Sequence, residues 1–324
     1  MQIFKYRDGV VPNSCAFIYV FLGYPLSFYW AAQSNFLFNL LALLLLSHSM
    51  IIAGYLLHEC IHKTLLSDNN KNISLAILLS WITGACYSEY DCLKKKHMRH
   101  HANRIDSLAI DHQSLLQKHP LLCRIVEALE WCYIPAVEIL THALSILAPF
   151  IVPSRQHQRK RVLKIIALRF LFFLILALWS WKIVLIYSFS YLIFIRVLGF
   201  MDAFQHIYHV RLNLDEEKVY PEFERDYEEA HTWSNLLSEK HPWLNLLVLN
   251  FCYHNVHHHR PAEPWYRLPL LHGNHYEEKT APEVSLKQQL SDFHKYRISR
   301  VKGMDDVPEG INEGAAGVSF LVGV

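Results

Sequence analysis

Four stretches of this chain, residues 15–32, 36–57, 162–180 and 183–201, are apolar enough and long enough to cross a bilayer, a crossing that takes about 20 residues of helix. Hydrocarbon offers the backbone no water to pair with, so stretches of this length satisfy their own N–H and C=O groups as helices. The polar turn Gln33-Ser34-Asn35 joins the first two. Trp179-Ser180-Trp181-Lys182 joins the last two, and its two indoles and ammonium suit a membrane interface. Each pair is therefore a hairpin that leaves and returns on one side. Lys5, Arg7, the Lys/Arg-rich loop 58–161 and the region beyond Asp202 all fall on that side, against Lys182 alone on the other. The positive-inside bias makes it the cytoplasmic side, with both termini there.

Two further apolar runs, 73–87 and 134–152, are too short or too interrupted (Pro135, Pro149) for a span and are expected to lie at the interface or half inserted. Arg169 and Arg196, inside the second hairpin, should snorkel or line a protein-facing groove. The expected organisation is one membrane domain over 1–302, with cytoplasmic regions 58–161 and 202–302, and then a Gly- and acid-rich tail, 303–324. A net charge of +2 gives no case for nucleic acid as a partner. Seven cysteines without a CxxC pair argue against a disulfide framework.

The 21 histidines are the anomaly. His58-Glu59-Cys60-Ile61-His62 directly follows the second span, and His97-Met98-Arg99-His100-His101 and His254-Asn255-Val256-His257-His258 form two further clusters. Gln205-His206-Ile207-Tyr208-His209 follows the fourth span. Residues three and four apart share a helix face, so each cluster aims its imidazoles one way, as metal binding requires. One such histidine is best read as an ordinary polar residue. Eight of them in three clusters on one membrane face are not.

His-Glu-x-x-His alone is the zinc-protease pattern, but that reading leaves the other two clusters idle. A single catalytic zinc uses three protein ligands, so eight or nine imidazoles are too many for one ion and two metals are the economical account. An all-imidazole shell suits iron and would also accept zinc or copper, which makes zinc an expected artefact of preparation.

The clusters resemble the histidine boxes of the membrane fatty acid desaturase superfamily, H-x3-H, H-x2-HH and H-x2-HH in this order. His62 and His97 lie 35 residues apart, His101 and His254 lie 153 apart, and the second hairpin falls between. The resemblance spans about residues 36–272. It implies that His58, His62, His97, His100, His101, His254, His257 and His258 are di-iron ligands in a histidine-rich cytoplasmic cap. His206 resembles the additional ligand ahead of the third box. The run from Tyr253 to Pro269, ending Pro-Trp-Tyr-Arg-Leu-Pro, also resembles the bacterial branch and the carotenoid ketolases.

His209 shares a face with His206 and is a further ligand or an outer hydrogen-bond donor; His259, one step off the ligand face, should be peripheral. Spacing gives no metal role to His112, His142, His272, His275 or His294. His48, within the second span, is either a polar spot near the substrate path or a plain core residue. A metal-bound imidazole usually donates its other N–H to an acceptor. Glu59, Asp91, Asp106 and Asp202 are the carboxylates near the boxes, with Glu59 foremost and an ordinary salt bridge the alternative for each.

The resemblance implies O2-dependent removal of hydrogen from an acyl-lipid or fatty acyl chain. A same-fold hydroxylase, carotenoid ketolase or alkene-forming fatty acid decarboxylase is the alternative, and a zinc intramembrane peptidase or a metal-regulated scaffold the remote one. Trp81, Tyr87, Trp131, Tyr133, Trp243 and Trp265 are tunnel-lining or interface-anchoring aromatics. No haem, flavin or iron–sulfur motif appears, so electrons should come from a ferredoxin- or cytochrome-type donor docking around Lys94, Lys95, Lys96 and Arg99.

Overall fold

The computed structural model describes residues 2–108, 110–206, 208, 211–213, 222–277 and 281–301. In chain order its helices are α1 (Val10–Ala32), α2 (Phe36–His62), α3 (Asn69–Thr83), α4 (Tyr90–Asn103), α5 (His112–Lys118), α6 (Pro120–Trp131) and α7 (Ala136–Ile151). They continue with α8 (Arg159–Trp179), α9 (Trp181–Asp202), α10 (Arg225–Ala230), α11 (His254–His259), α12 (Leu268–His275) and α13 (Leu286–Tyr296). Two three-residue strands, β1 (Asp106–Leu108) and β2 (Arg211–Asn213), pair in parallel with Asp106 opposite Arg211. The fold is all-α apart from that short pair. The tail 303–324 and His209 lie outside the described residues.

α1, α2, α9 and the segment Pro153–Trp179 that contains α8 are each long and apolar enough to cross a membrane, and the chain is an integral membrane protein. Their exposed faces are apolar: Leu22, Phe36, Phe170 and Leu178 are each at least 63 % exposed, a state that lipid stabilises and water does not. α3 and α7, at 15 and 16 residues, fall short of a full span.

The chain divides into two compact units, Met1–Glu89 with Ile146–Val197, and Tyr90–Ser145 with Leu198–Val324. In the first, the α1–α2 turn is closed by Asn39, whose Nδ2 donates to the carbonyls of Trp30 (3.1 Å), Ala31 (3.3 Å) and Gln33 (3.0 Å). Lys182 Nζ, at the start of α9, also donates to Gln33 O. Carbonyls at the end of α1 are thus satisfied within the protein. α1 and α2 meet closely at Gly23, where a Cβ would lie 2.8 Å from Ser49 Oγ. Ser190 Oγ ties α9 to the Leu43 carbonyl at 3.3 Å.

Arg169 faces protein rather than lipid. Its Nη1 donates to Trp81 O and its Nη2 to Tyr187 Oη, both at 2.9 Å, and its guanidinium stands 5.1 Å from the Phe173 ring centroid. His48 is paired with Tyr19, Oη to Nδ1, at 2.6 Å.

In the second unit, Arg300 is a buried hub. Its Nη2 lies 3.2 Å from Glu130 Oε2 and 3.0 Å from Glu138 Oε1, and Glu130 Oε1 accepts from Val137 N at 3.0 Å. Its guanidinium stands 5.0 Å from the Phe293 ring centroid, and Leu116, Cys123, Val126, Ala136, Val137 and Val301 form an apolar cluster in the same unit. Glu138 also touches α9, because a Cβ on Gly199 would lie 2.2 Å from Glu138 Oε1; a larger residue there would push the Glu138 side chain aside.

Candidate metal centre

The first box closes α2. His58 is fully buried and its ring centroid lies 4.6 Å from that of His62, as expected for positions i and i+4. Lys63, left-handed at φ 57° and ψ 40°, ends the helix there. Thr64 Oγ1 donates to Glu59 Oε2 at 2.5 Å, while Glu59 Oε1 lies 3.7 Å from His58 Nδ1. The carboxylate inside the box thus lies beside an imidazole nitrogen, at a separation longer than a hydrogen bond.

The second unit brings seven imidazoles together. The ligating nitrogens of His97, His101 and His257 all lie within 4.8 Å of one another, as do those of His100, His206, His254 and His258. His101 Nε2 is 3.0 Å from His97 Nε2 and 3.2 Å from His257 Nε2; His100 Nε2 is 2.9 Å from His206 Nε2. The helical spacing deals the boxes out between the groups. On α4, His97 and His101 join one group and His100 the other; on α11, His257 joins the first, His254 and His258 the second. The groups touch where His101 stacks on His258, centroids 4.1 Å apart.

These residues fit a metal pair. Nitrogens about 2.1 Å from a common ion lie about 3.0–3.4 Å apart, from octahedral to tetrahedral arrangements, and the observed separations fall at that short end. His258 supplies a second test. Its Nδ1 pairs with Glu228 Oε1 at 2.9 Å, and its buried Nε2 has no hydrogen-bond partner among the described residues. An ionised carboxylate only accepts, so Nδ1 carries the proton and Nε2 presents a lone pair. Burial, reinforced by neighbouring imidazoles, holds His206 and His258 well below the usual histidine range, so both stay neutral and able to bind a cation.

Around this centre a polar scaffold fixes the third box. Asn235 Nδ2 donates to Met201 O at 2.8 Å and Asn235 N to Cys252 O at 3.0 Å, linking the end of α9 to the loop before α11. Gln205 Nε2 reaches Asn235 Oδ1 at 3.3 Å, and His206 bridges to Thr232 in an antiparallel backbone contact. Leu249 and Asn250 are left-handed (φ 50° and 57°), and Asn245 steadies that turn by accepting from Leu237 N at 2.9 Å and donating to Tyr253 Oη at 3.1 Å. Tyr208, 3 % exposed, sets its Oη 3.4 Å from His258 Nδ1.

Glu228 is the carboxylate that sequence reasoning missed. Burial raises its pKa, and Arg104 opposes the rise with Nε and Nη2 both 3.2 Å from Oε2. It sits on α10, 26 residues before His254 and outside every box, so no spacing rule pointed to it. Asp202 is half-buried at the end of α9 and Asp91 is exposed; the Asp106 side chain lies outside what is described. On α4, Lys95 is exposed, Lys94 and Arg99 are half-buried, and Lys96 is buried. Trp131 and Trp243 are 63 % and 64 % exposed, as interface anchors are, whereas Trp265 is 6 % exposed.

The family model described as fatty acid desaturase matches residues 34–289, a stretch that contains all three boxes and His206. Comparison with curated proteins gives no match.

Proposed function

The chain belongs to the fatty acid desaturase family, and on that footing we propose that it is an O2-dependent di-iron enzyme that introduces a double bond into a fatty acyl chain. The observation that carries this reading is the convergence of His97, His101 and His257 beside His100, His206, His254 and His258. In this reading His58 and His62 of the first box are further ligands, and His209 is a further ligand or an outer hydrogen-bond donor. Two iron ions held there would supply the dioxygen activation that removing hydrogen from an unactivated alkyl carbon requires and no side chain provides. One O2, two electrons and two protons, with two hydrogens taken from neighbouring carbons, give two waters and the alkene.

The chain's own residues orient and insulate. Glu228 holds the imidazole of His258 in one tautomer, Glu59 sets a carboxylate beside His58, and the buried rings exclude water. Double-bond formation rather than hydroxylation then rests on where the acyl carbons stop. The centre and both termini are cytoplasmic by the Lys/Arg bias. A ferredoxin- or cytochrome-type donor docks on the basic face that Lys95 exposes, with Lys94 and Arg99 beside it.

Mass spectrometry of lipids from cells expressing the chain tests this reading. Desaturation shows as an acyl product two mass units lighter, absent with His257→Ala. Gain of oxygen identifies a hydroxylase or ketolase, and loss of the carboxyl carbon a decarboxylase. Unchanged lipids, or an active His257→Ala, overturn the di-iron reading.

A further inference from the structure

We propose that Glu229, His259 and His275 form a third metal site, for an exchangeable divalent ion of the zinc type, on the surface of the second unit. No histidine box uses these residues. His259 is one position beyond the box face of α11, where each residue turns the helix by about 100°. α12 packs against α11 and brings His275 to it, the two ring centroids 4.4 Å apart, while α10 supplies Glu229. One ligating atom from each of the three lies within 4.8 Å of the others. His259 Nδ1 is buried and has no hydrogen-bond partner among the described residues.

The donor set decides the class of ion. Two imidazoles and one carboxylate are the ligand types of a three-residue zinc site with an open position, and imidazole disfavours magnesium and calcium. Glu229 is exposed and both rings are half-buried, so the ion exchanges with solvent. A nearby cation sets the strength. Arg225 Nη2 reaches the His259 carbonyl at 3.5 Å, and its charge opposes a dication. Binding is therefore weaker than at a closed imidazole shell and is reversible on dialysis. The site stands on these three residues whether or not the di-iron reading holds.

The test uses the full chain purified in detergent with its resident metal. After equilibrium dialysis against buffered free Zn2+, metal is counted per protein by mass spectrometry. The wild type should take up one equivalent beyond its resident content. His275→Ala and Glu229→Gln should each weaken that uptake by about tenfold or more and leave resident metal unchanged. His257→Ala should keep the extra equivalent while losing resident metal, which separates this site from the box centre. If His275→Ala also strips resident metal, Glu229→Gln decides, since it preserves side-chain size. Equal uptake by wild type and Glu229→Gln, or none beyond resident metal in the wild type, overturns the proposal.

Discussion

Glu228 Oε1 accepts a hydrogen bond from His258 Nδ1 at 2.9 Å, with Arg104 3.2 Å from its other oxygen. The carboxylate fixes which nitrogen of His258 is protonated and so which one faces its fellow histidines. Such outer partners are typically worth about 10–100-fold in metal affinity. Glu228→Ala should therefore release metal from the purified protein at about 10–100-fold lower chelator concentration, and Glu228→Asp should recover part of the difference. Wild-type chelator resistance in Glu228→Ala would show that the pair does not steady the ligand.

His254 and His257 sit three residues apart yet belong to different nitrogen groups. Each single substitution should remove about one metal equivalent, not both, because the rest of the other group is left in place. Product formation should be abolished in both variants, since the chemistry needs the pair. Metal counting beside lipid analysis checks this. A His257→Ala protein with full activity would instead favour chemistry confined to His58, Glu59 and His62.

The membrane helices and the box histidines were legible because each is encoded locally, in a run of apolar residues or in spacings of three and four. The sorting of His100 away from His97 and His101 was not, since it depends on how α4 meets α11 and on where Gln205-His206 crosses between them. Glu228, Arg104 and Asn235 were invisible for the same reason: a lone Glu, Arg or Asn in a loop-rich region carries no periodic signal. Arg169 left two readings open, snorkelling or protein-facing, and its bonds to Trp81 and Tyr187 decide for the second.

Acid should disarm the centre. Burial, followed by the neighbouring imidazoles, keeps His206 and His258 well below the usual histidine range. The unfolded chain therefore binds more protons than the folded one below about pH 6.5. Their contribution to stability is complete above that value and is lost as pH falls toward the depressed folded values. Protons also compete with metal for the same nitrogens. Thermal midpoint and metal content should hold steady from about pH 8 to about pH 7 and both decline below about pH 6.5. A midpoint that rises on acidification would contradict the sign.

Arg300 tests how the second unit is held together. It is 1 % exposed and is paired with Glu130 and Glu138, themselves 0 % and 3 % exposed. Arg300→Met would fill the space but leave the buried Glu130 and Glu138 carboxylates without this cation. Breaking a buried pair from one side costs about 3–5 kcal/mol, more than the pair itself contributes over an apolar replacement. The apparent thermal midpoint of Arg300→Met in detergent should therefore fall clearly. Adding Glu130→Gln to it should recover part of the loss, because one uncompensated charge is removed while the amide oxygen can still accept from Val137 N, now 3.0 Å from Glu130 Oε1. Glu130→Gln alone should cost stability, so the two changes should be non-additive in the double variant. Additive losses would mean that the guanidinium and the carboxylates act independently.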